Sequence, residues 1–161
     1  MNKNNIYILE DRGLIYVSGK DTFNFLQNII SNDLSKVSNV QSCFSYLLTP
    51  QGKYLFEFII VKHKNGYFLD CPNYQIENLY NQLNLYKLRS EIEINNLSNE
   101  FVVAALSKDK FPEFNKIKGN GMTIKFREDP IMLDPRCDKL GARIIINLEK
   151  LYLSAKKLNL K

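Results

Sequence analysis

Glu57 falls inside the otherwise apolar run Tyr54 to Val61, and a carboxylate in that company has a pKa that partial burial would raise. The plain alternative is an outward position on a strand with one wet face. Asn32 and Asp33 follow a helical pattern, where polar residues form turns. Asp70 and Cys71 close another apolar run just before Pro72, as residues at a strand end do. Arg89 carries a planar fork that can bind a carboxylate through paired hydrogen bonds, make a structural ion pair, or cap helix carbonyls. His63, the only histidine, stands between two lysines before a turn and reads as a solvated loop residue. Cys43, Cys71 and Cys137 lie far apart, without the close pairing of zinc sites or redox dithiols, and read as reduced thiols of a reducing cytoplasm. No Gly-rich phosphate loop, metal cluster or nucleophile elbow occurs.

The elements that must position these residues are mostly strands. Ile6 to Leu9 and Leu14 to Val17 flank Glu10-Asp11-Arg12-Gly13 and predict an opening β-hairpin. Asp21 or its neighbour can cap a helix whose apolar residues Phe25, Leu26, Ile29 and Ile30 recur at helical spacing. Ser42 to Leu48 and Lys53 to Val61 are joined by Thr49-Pro50-Gln51-Gly52, and Lys64-Asn65-Gly66 leads into Tyr67 to Asp70, which together predict a three-stranded meander. Pro72-Asn73 then opens a second helix with Ile76, Leu79, Tyr80, Leu83 and Tyr86 on one face. Strands over Glu91 to Ile94 and Phe101 to Leu106 follow. The order ββ-α-βββ-α-ββ predicts an α+β fold, a mainly antiparallel sheet with both helices on one face. Past Ser107 a strand over Met122 to Phe126, turns at Asp129-Pro130 and Asp134-Pro135-Arg136, a last strand over Ile144 to Ile146 and a short helix over Glu149 to Leu158 are expected. Residues 1–107 read as one α+β domain and 108–161 as an incomplete continuation.

The chain has 161 residues, 45% hydrophobic and 24% charged, enough for a real core and unlike a disordered chain. Its polar start, Met1 to Asn5, has no apolar stretch behind it, so neither a secretory signal nor a membrane span is expected. The net charge of +5 comes from scattered lysines, the densest at Lys62 to Lys64, so a nucleic-acid partner is not expected.

Leu9-Glu10-Asp11-Arg12-Gly13, Gly19-Lys20-Asp21 with Phe25-Leu26-Gln27, and Ser31-Asn32-Asp33-Leu34 resemble, in order, the opening of YgfZ-type proteins. Leu48-Thr49-Pro50-Gln51-Gly52-Lys53 with Phe56-Glu57-Phe58, then Tyr86-Lys87-Leu88-Arg89-Ser90-Glu91-Ile92, are similar to that family's next hairpin and helix-to-strand junction. Asp134-Pro135-Arg136 with Leu140-Gly141-Ala142-Arg143 resembles a later segment. The match runs over nearly the whole chain but only about the first half of a full-length YgfZ/GcvT-like folate-binding protein. Lys-Gly-Cys-Tyr-x-Gly-Gln-Glu, that family's distinctive segment, has no counterpart here, and Cys137 within Arg136-Cys137-Asp138 does not stand in for it.

The resemblance implies the family's folate-binding α+β domain, with tetrahydrofolate or a derivative as ligand. It further implies an accessory role in iron-sulfur cluster assembly or repair, or in tRNA modification, with iron-sulfur enzymes or assembly factors as partners. Glu57 aligns with an aspartate that contacts the folate in aminomethyltransferases. Asn32, Asp33, Asp70 and Cys71 fall near ligand-facing positions, and Arg89 could reach a folate glutamate tail. The alternatives are an aminomethyltransferase-like one-carbon transferase and an interaction module without activity. A split gene product, a remnant and an isolated domain all remain open, so a separately encoded C-terminal half or a second copy of the chain is a further expected partner.

Overall fold

The computed structural model describes residues 2–115 and 119–161; Met1, part of the polar start, lies outside them. Ten strands and three α-helices are formed among the described residues: β1 Ile6–Ile8, β2 Arg12–Gly19, α1 Thr22–Ile29, β3 Cys43–Leu48, β4 Tyr54–His63, β5 Gly66–Pro72, α2 Ile76–Lys87, β6 Ile92–Asn96, β7 Phe101–Leu106, β8 Thr123–Phe126, β9 Asp129–Leu133, β10 Ala142–Asn147 and α3 Leu148–Lys157. Through β7 this is the expected order.

The strands divide between two five-stranded sheets. One has the order β3-β4-β5-β2-β6 and the other β1-β7-β10-β9-β8, and every pairing with a recorded register is antiparallel. Alternation along each strand sends side chains to two different layers. Ile60, Leu69 and Ile15 face α1 and α2 in a core shared with Phe25, Leu26, Leu79 and Leu83, so both helices pack on one face of the first sheet as expected. Leu14, Ile59, Val61 and Phe68 face the other way, onto Val103, Met132 and Ile145 of the second sheet. Ala104, Ile131, Ile144 and Ile146 complete a third core, into which α3 sends Leu151 and Ala155. The result is four layers: helices, sheet, sheet, helix.

Three sequence expectations are corrected. β1 and β2 do not form a hairpin: β1 pairs with β7 at Tyr7↔Ala105, whereas β2 pairs with β5 and β6. The tetrapeptide carries the chain from one sheet to the other, since Leu9 donates its amide to the Val103 carbonyl and Arg12 closes a turn on Leu9. His63 is the last residue of β4 and is buried, its ring 4.7 Å from that of Phe68 and 6.4 Å from that of Phe101. Asp129-Pro130 does not close a strand but begins β9. Pro130 is tolerated there because β9 pairs with β10 only over Ile131 to Leu133, which leaves Pro130 facing β8 alone. The second sheet also draws β7 from residues 1–107 and its neighbour β10 from 108–161.

Candidate functional site

On the inner face of the first sheet, β4 presents Glu57, Ile59, Val61 and His63 in alternation. Ile59 and Val61 are covered by the second sheet, while Glu57 lies past its rim and is only half-buried. Glu57 therefore does not sit on an ordinary wet face. It occupies the open end of the layer between the sheets, in a cleft of about 680 Å³ whose walls include Asn32, Phe44, Tyr46, Asn120 and Arg136. That volume lies within the roughly 300–1,000 Å³ common for small-molecule sites. Gly121, at φ +79°, brings the Asn120 wall against β3: a Cβ there would collide with the Ser42 carbonyl, and Ser42 donates its amide to the Gly121 carbonyl at 2.7 Å.

A line of alternating charges runs from the sheet joint to this cleft. Arg12 donates through Nε to Asp70 Oδ1 at 2.6 Å and through Nη2 to the Asp70 carbonyl at 2.7 Å. Arg143 donates through Nη1 to Asp70 Oδ2 at 3.0 Å and through Nε to Asp134 Oδ2 at 2.8 Å. Arg136 grips the same carboxylate, Nε on Oδ1 at 2.9 Å and Nη2 on Oδ2 at 2.8 Å, a bidentate geometry that fixes its plane. Side-chain exposure is 0% at Asp70 and 10% at Arg143 but 29% at Arg136, the member that reaches the cleft. Three guanidinium groups against two carboxylates leave a net +1, which the nearby Glu57 offsets.

Hydrogen bonding to Asp134 outweighs burial and raises the Arg136 pKa, with the charges of Asp134, Asp70 and Glu57 adding to it. Burial alone would raise the Asp134 carboxyl, yet the hydrogen bonds from Arg136 and the charge of Arg143 hold it below its ordinary value. The Glu57 carboxylate makes no hydrogen bond to any described residue, and neither does Nη1 of Arg136. One wall thus offers free acceptors and the other free donors. The Phe44 and Tyr46 rings, which line the same cleft, meet edge to face at 5.0 Å. A planar heterocycle with both a donor edge and an acceptor edge fits this set.

The residues singled out from sequence separate into distinct places. Asn32 and Glu57 share the cleft. Asn32 also braces its loop, donating to the Phe44 carbonyl at 2.9 Å and accepting from the Asp33 amide at 2.8 Å. Asp33 is exposed and caps the short turn after α1, accepting from the Ser35 amide at 2.9 Å; hydrogen bonding to the Ser35 side chain, and then to that amide, lowers its pKa. Asp70 faces the inter-sheet layer with both oxygens bound to arginines, and Cys71 points oppositely into the helix-side core. Arg89 is exposed beyond α2 and outside the cleft walls. Arg12, Asp134, Arg136 and Arg143 were legible only as parts of motifs. The signal pointing to them is the one that exposed Glu57: Asp70 and Arg143 are charged residues inside apolar strands, and buried charges require partners. Among the described residues no cluster of three or more His, Cys, Asp or Glu could hold a metal ion, and no helix is long and apolar enough to cross a membrane.

The architecture that forms this cleft occurs in a known class of proteins. A solved glycine cleavage system aminomethyltransferase T from Bartonella henselae superposes on 99% of the chain with a TM-score of 0.74, at 15% identity and over 47% of its own length, so the two share a fold. No family model matches. Curated sequences carry the relationship further. An aminomethyltransferase of Thermoanaerobacter pseudethanolicus is 33% identical over 113 residues, which cover 70% of this chain and 31% of the relative. The mitochondrial iron-sulfur cluster assembly factor IBA57 homolog of Neurospora crassa is 25% identical over 153 residues, covering 86% and 34%. This chain belongs to the YgfZ/GcvT-like family, and it spans about a third of the length of these curated relatives.

Proposed function

We propose that this chain is the folate-side unit of a YgfZ-type accessory protein, and that it binds tetrahydrofolate or a derivative in the Glu57–Arg136 cleft in the service of iron-sulfur cluster assembly or repair. The observation that carries the reading is a cleft lined by an unpartnered carboxylate, a fixed guanidinium and two aromatic rings. Glu57 would accept from the N–H groups of a pterin, Arg136 would donate to its carbonyl, and Phe44 and Tyr46 would take its flat face. Bound there, the folate would supply a one-carbon carrier. Similarity to the IBA57 homolog supports the iron-sulfur setting and its assembly factors as partners, and three free thiols support a cytoplasmic location.

Calorimetry with 5-formyltetrahydrofolate tests the binding. Measurable affinity in the wild type should fall ~10–100-fold in Glu57→Gln, the loss of hydrogen bonds to a charged acceptor. No heat at millimolar ligand, in a protein shown to be folded, would sink the reading. A one-carbon transferase is the second reading, favoured by the 33% identity to an aminomethyltransferase. Formation of methylenetetrahydrofolate from an aminomethyl donor would establish it.

A further inference from the structure

Charge is distributed unevenly along this chain. Residues 108–161 hold 13 lysines and arginines against 7 acids, whereas residues 1–107 hold 9 against 10, so the whole positive excess belongs to the part that forms β8, β9, β10 and α3. Asn147 fixes the start of α3, its side chain accepting from the Glu149 amide at 3.0 Å, and Leu151, Ser154, Ala155 and Leu158 turn inward. At about 3.6 residues per turn, Tyr152, Lys156, Leu153 and Lys157 succeed one another around the outer arc, with Leu148 and Lys150 at its two ends. Tyr152 is 75% exposed, Leu153 54% and Leu148 44%, so three large apolar side chains stand in solvent on one short helix. The three lysines of α3 are exposed as well and form no ion pair with a described residue; Glu149, its only acid, lies among them. The β8–β9 turn extends the cationic flank. Asp129 is buried where the charges of Lys150 and Arg127 act on it, and Lys157 borders a hollow with Lys125, Phe126 and Ile131. Lys125 and Arg127 are exposed there, against one exposed acid, Glu128.

We propose that this face docks on an anionic bilayer surface. α3 lies in the plane of the headgroups, Tyr152 and Leu153 dip toward the acyl chains, and Lys150, Lys156, Lys157 and Arg127 sit among the phosphate and carboxylate groups. A helix of this length lies on a membrane and does not cross it. The charge excess calls for an anionic partner and opposes the pairing of this face with a second copy of itself. The apolar and cationic side chains interleave on one convex arc, whereas an interface between proteins gathers its apolar residues at a centre from which lysine is depleted. At a bilayer each lysine reaches the headgroups along its own methylene stem while its apolar neighbour enters below. A nucleic acid would use the lysines but leave Leu148 and Leu153 in water. No α3 residue lines the Glu57–Arg136 cleft, so this docking is independent of the ligand proposed there.

The test is co-sedimentation of the full chain with phosphatidylcholine vesicles, pure or with one third phosphatidylserine. The wild type should bind the mixed vesicles, ignore the pure ones, and bind ~10-fold less when salt rises from ~0.1 to ~0.5 M. Lys150→Glu with Lys157→Glu should weaken binding ~10–100-fold, and Tyr152→Ser with Leu153→Ser ~10-fold. The same charge reversal at Lys36→Glu with Lys53→Glu, exposed in the other part of the chain, should change it less than ~2-fold. All six positions are exposed, so unchanged urea midpoints serve as the folding control. The chain has no tryptophan, so Tyr152→Trp supplies a single reporter whose emission should shift to the blue on mixed vesicles and be quenched by brominated acyl chains. No binding to mixed vesicles, equal binding to pure ones, or an unshifted Trp emission overturns the proposal. Equal losses from the two charge reversals would make the attraction a property of net charge alone and overturn it too. So would a self-associating wild type that becomes monomeric on Tyr152→Ser with Leu153→Ser, since the face would then be a contact between copies.

Discussion

Replacing Asp70 by asparagine should cost more stability than any other single charge removal in this protein. Its carboxylate is fully buried and accepts from Arg12 at 2.6 Å and Arg143 at 3.0 Å, whose side chains are only 8% and 10% exposed. The side-chain amide introduced by Asp70→Asn would keep one acceptor but turn its NH2 toward an arginine N–H, leaving one buried guanidinium N–H unpaired and both arginines without the Asp70 charge, since Arg12 keeps only the Asp70 carbonyl and Arg143 only Asp134. Hydrogen bonds to charged groups contribute about 1.5–3 kcal/mol each, and breaking a buried ion pair on one side typically costs about 3–5 kcal/mol. The expectation is therefore a loss of about 3–5 kcal/mol in urea unfolding with an unchanged m-value. For a domain of this size that corresponds to a fall in Tm of roughly 6–20 °C. Replacing the whole buried group, as in Arg12→Leu with Asp70→Leu and Arg143→Met, should cost less than Asp70→Asn alone, because no orphaned charge then remains. A loss below about 1 kcal/mol in Asp70→Asn, or a triple variant clearly worse than the single one, would refute the view that these charges matter by mutual satisfaction.

Two further expectations concern protons and thiols. Burial, with Lys64 and Lys125 adding, pushes His63 down to about 4, below its unfolded value near 6.5. The unfolded chain thus binds the extra proton first, so the stability due to neutral His63 is complete above pH 6.5 and is lost as pH falls toward 4, by about 2–3 kcal/mol in all. Urea midpoints across that window should slope in the wild type and flatten in His63→Phe; equal slopes would show the ring is already solvated. Asp134, held below its ordinary value, contributes stability above pH ~4 that is lost only in stronger acid, separating the two windows. Burial raises Cys43 to about 11 and Cys71 to about 12, whereas Cys137 is partly exposed. Ellman's reagent at pH 8 should therefore titrate Cys137 quickly in the native protein and all three thiols in denaturant, and a second fast thiol would contradict the burial of the other two.

Local chemistry explains which features could be seen before the structure. The meander was legible because Thr49-Pro50-Gln51-Gly52 and Lys64-Asn65-Gly66 are turns whose residues suit only a tight reversal, and β3, β4 and β5 follow. The faces of α1 and α2 were legible because 3.6-residue periodicity depends on nothing distant. The assignment of β1 was not. Ile6 to Ile8 and Leu14 to Val17 look alike as short apolar runs, and what separates them is the partner of β1, found at Ala104 to Leu106. His63 misled for a related reason. Its charged neighbours Lys62 and Lys64 describe the strand's other face and the turn, whereas alternation from Ile59 and Val61 sends His63 inward. A polar side chain flanked by charges is solvated in a loop but buried at the end of a strand.

Asp70 and Glu57 show how far the same reasoning reaches into function. Both are carboxylates in apolar strands facing the inter-sheet layer, although the sequence sets Glu57 inside its run and Asp70 at the end of one. The second sheet divides them. Where it covers the layer, Asp70 meets two arginines and becomes a brace between the sheets; where its cover ends, Glu57 lines an open cleft that Arg136 also lines, with no hydrogen bond between them. Since Asp134 joins Arg143 to Arg136, the orientation of the donor wall depends on the same buried charges that hold the sheets together. A ligand bound between Glu57 and Arg136 would therefore stabilise the inter-sheet joint as well as the cleft, and its binding should weaken in Asp70→Asn even though Asp70 never touches it.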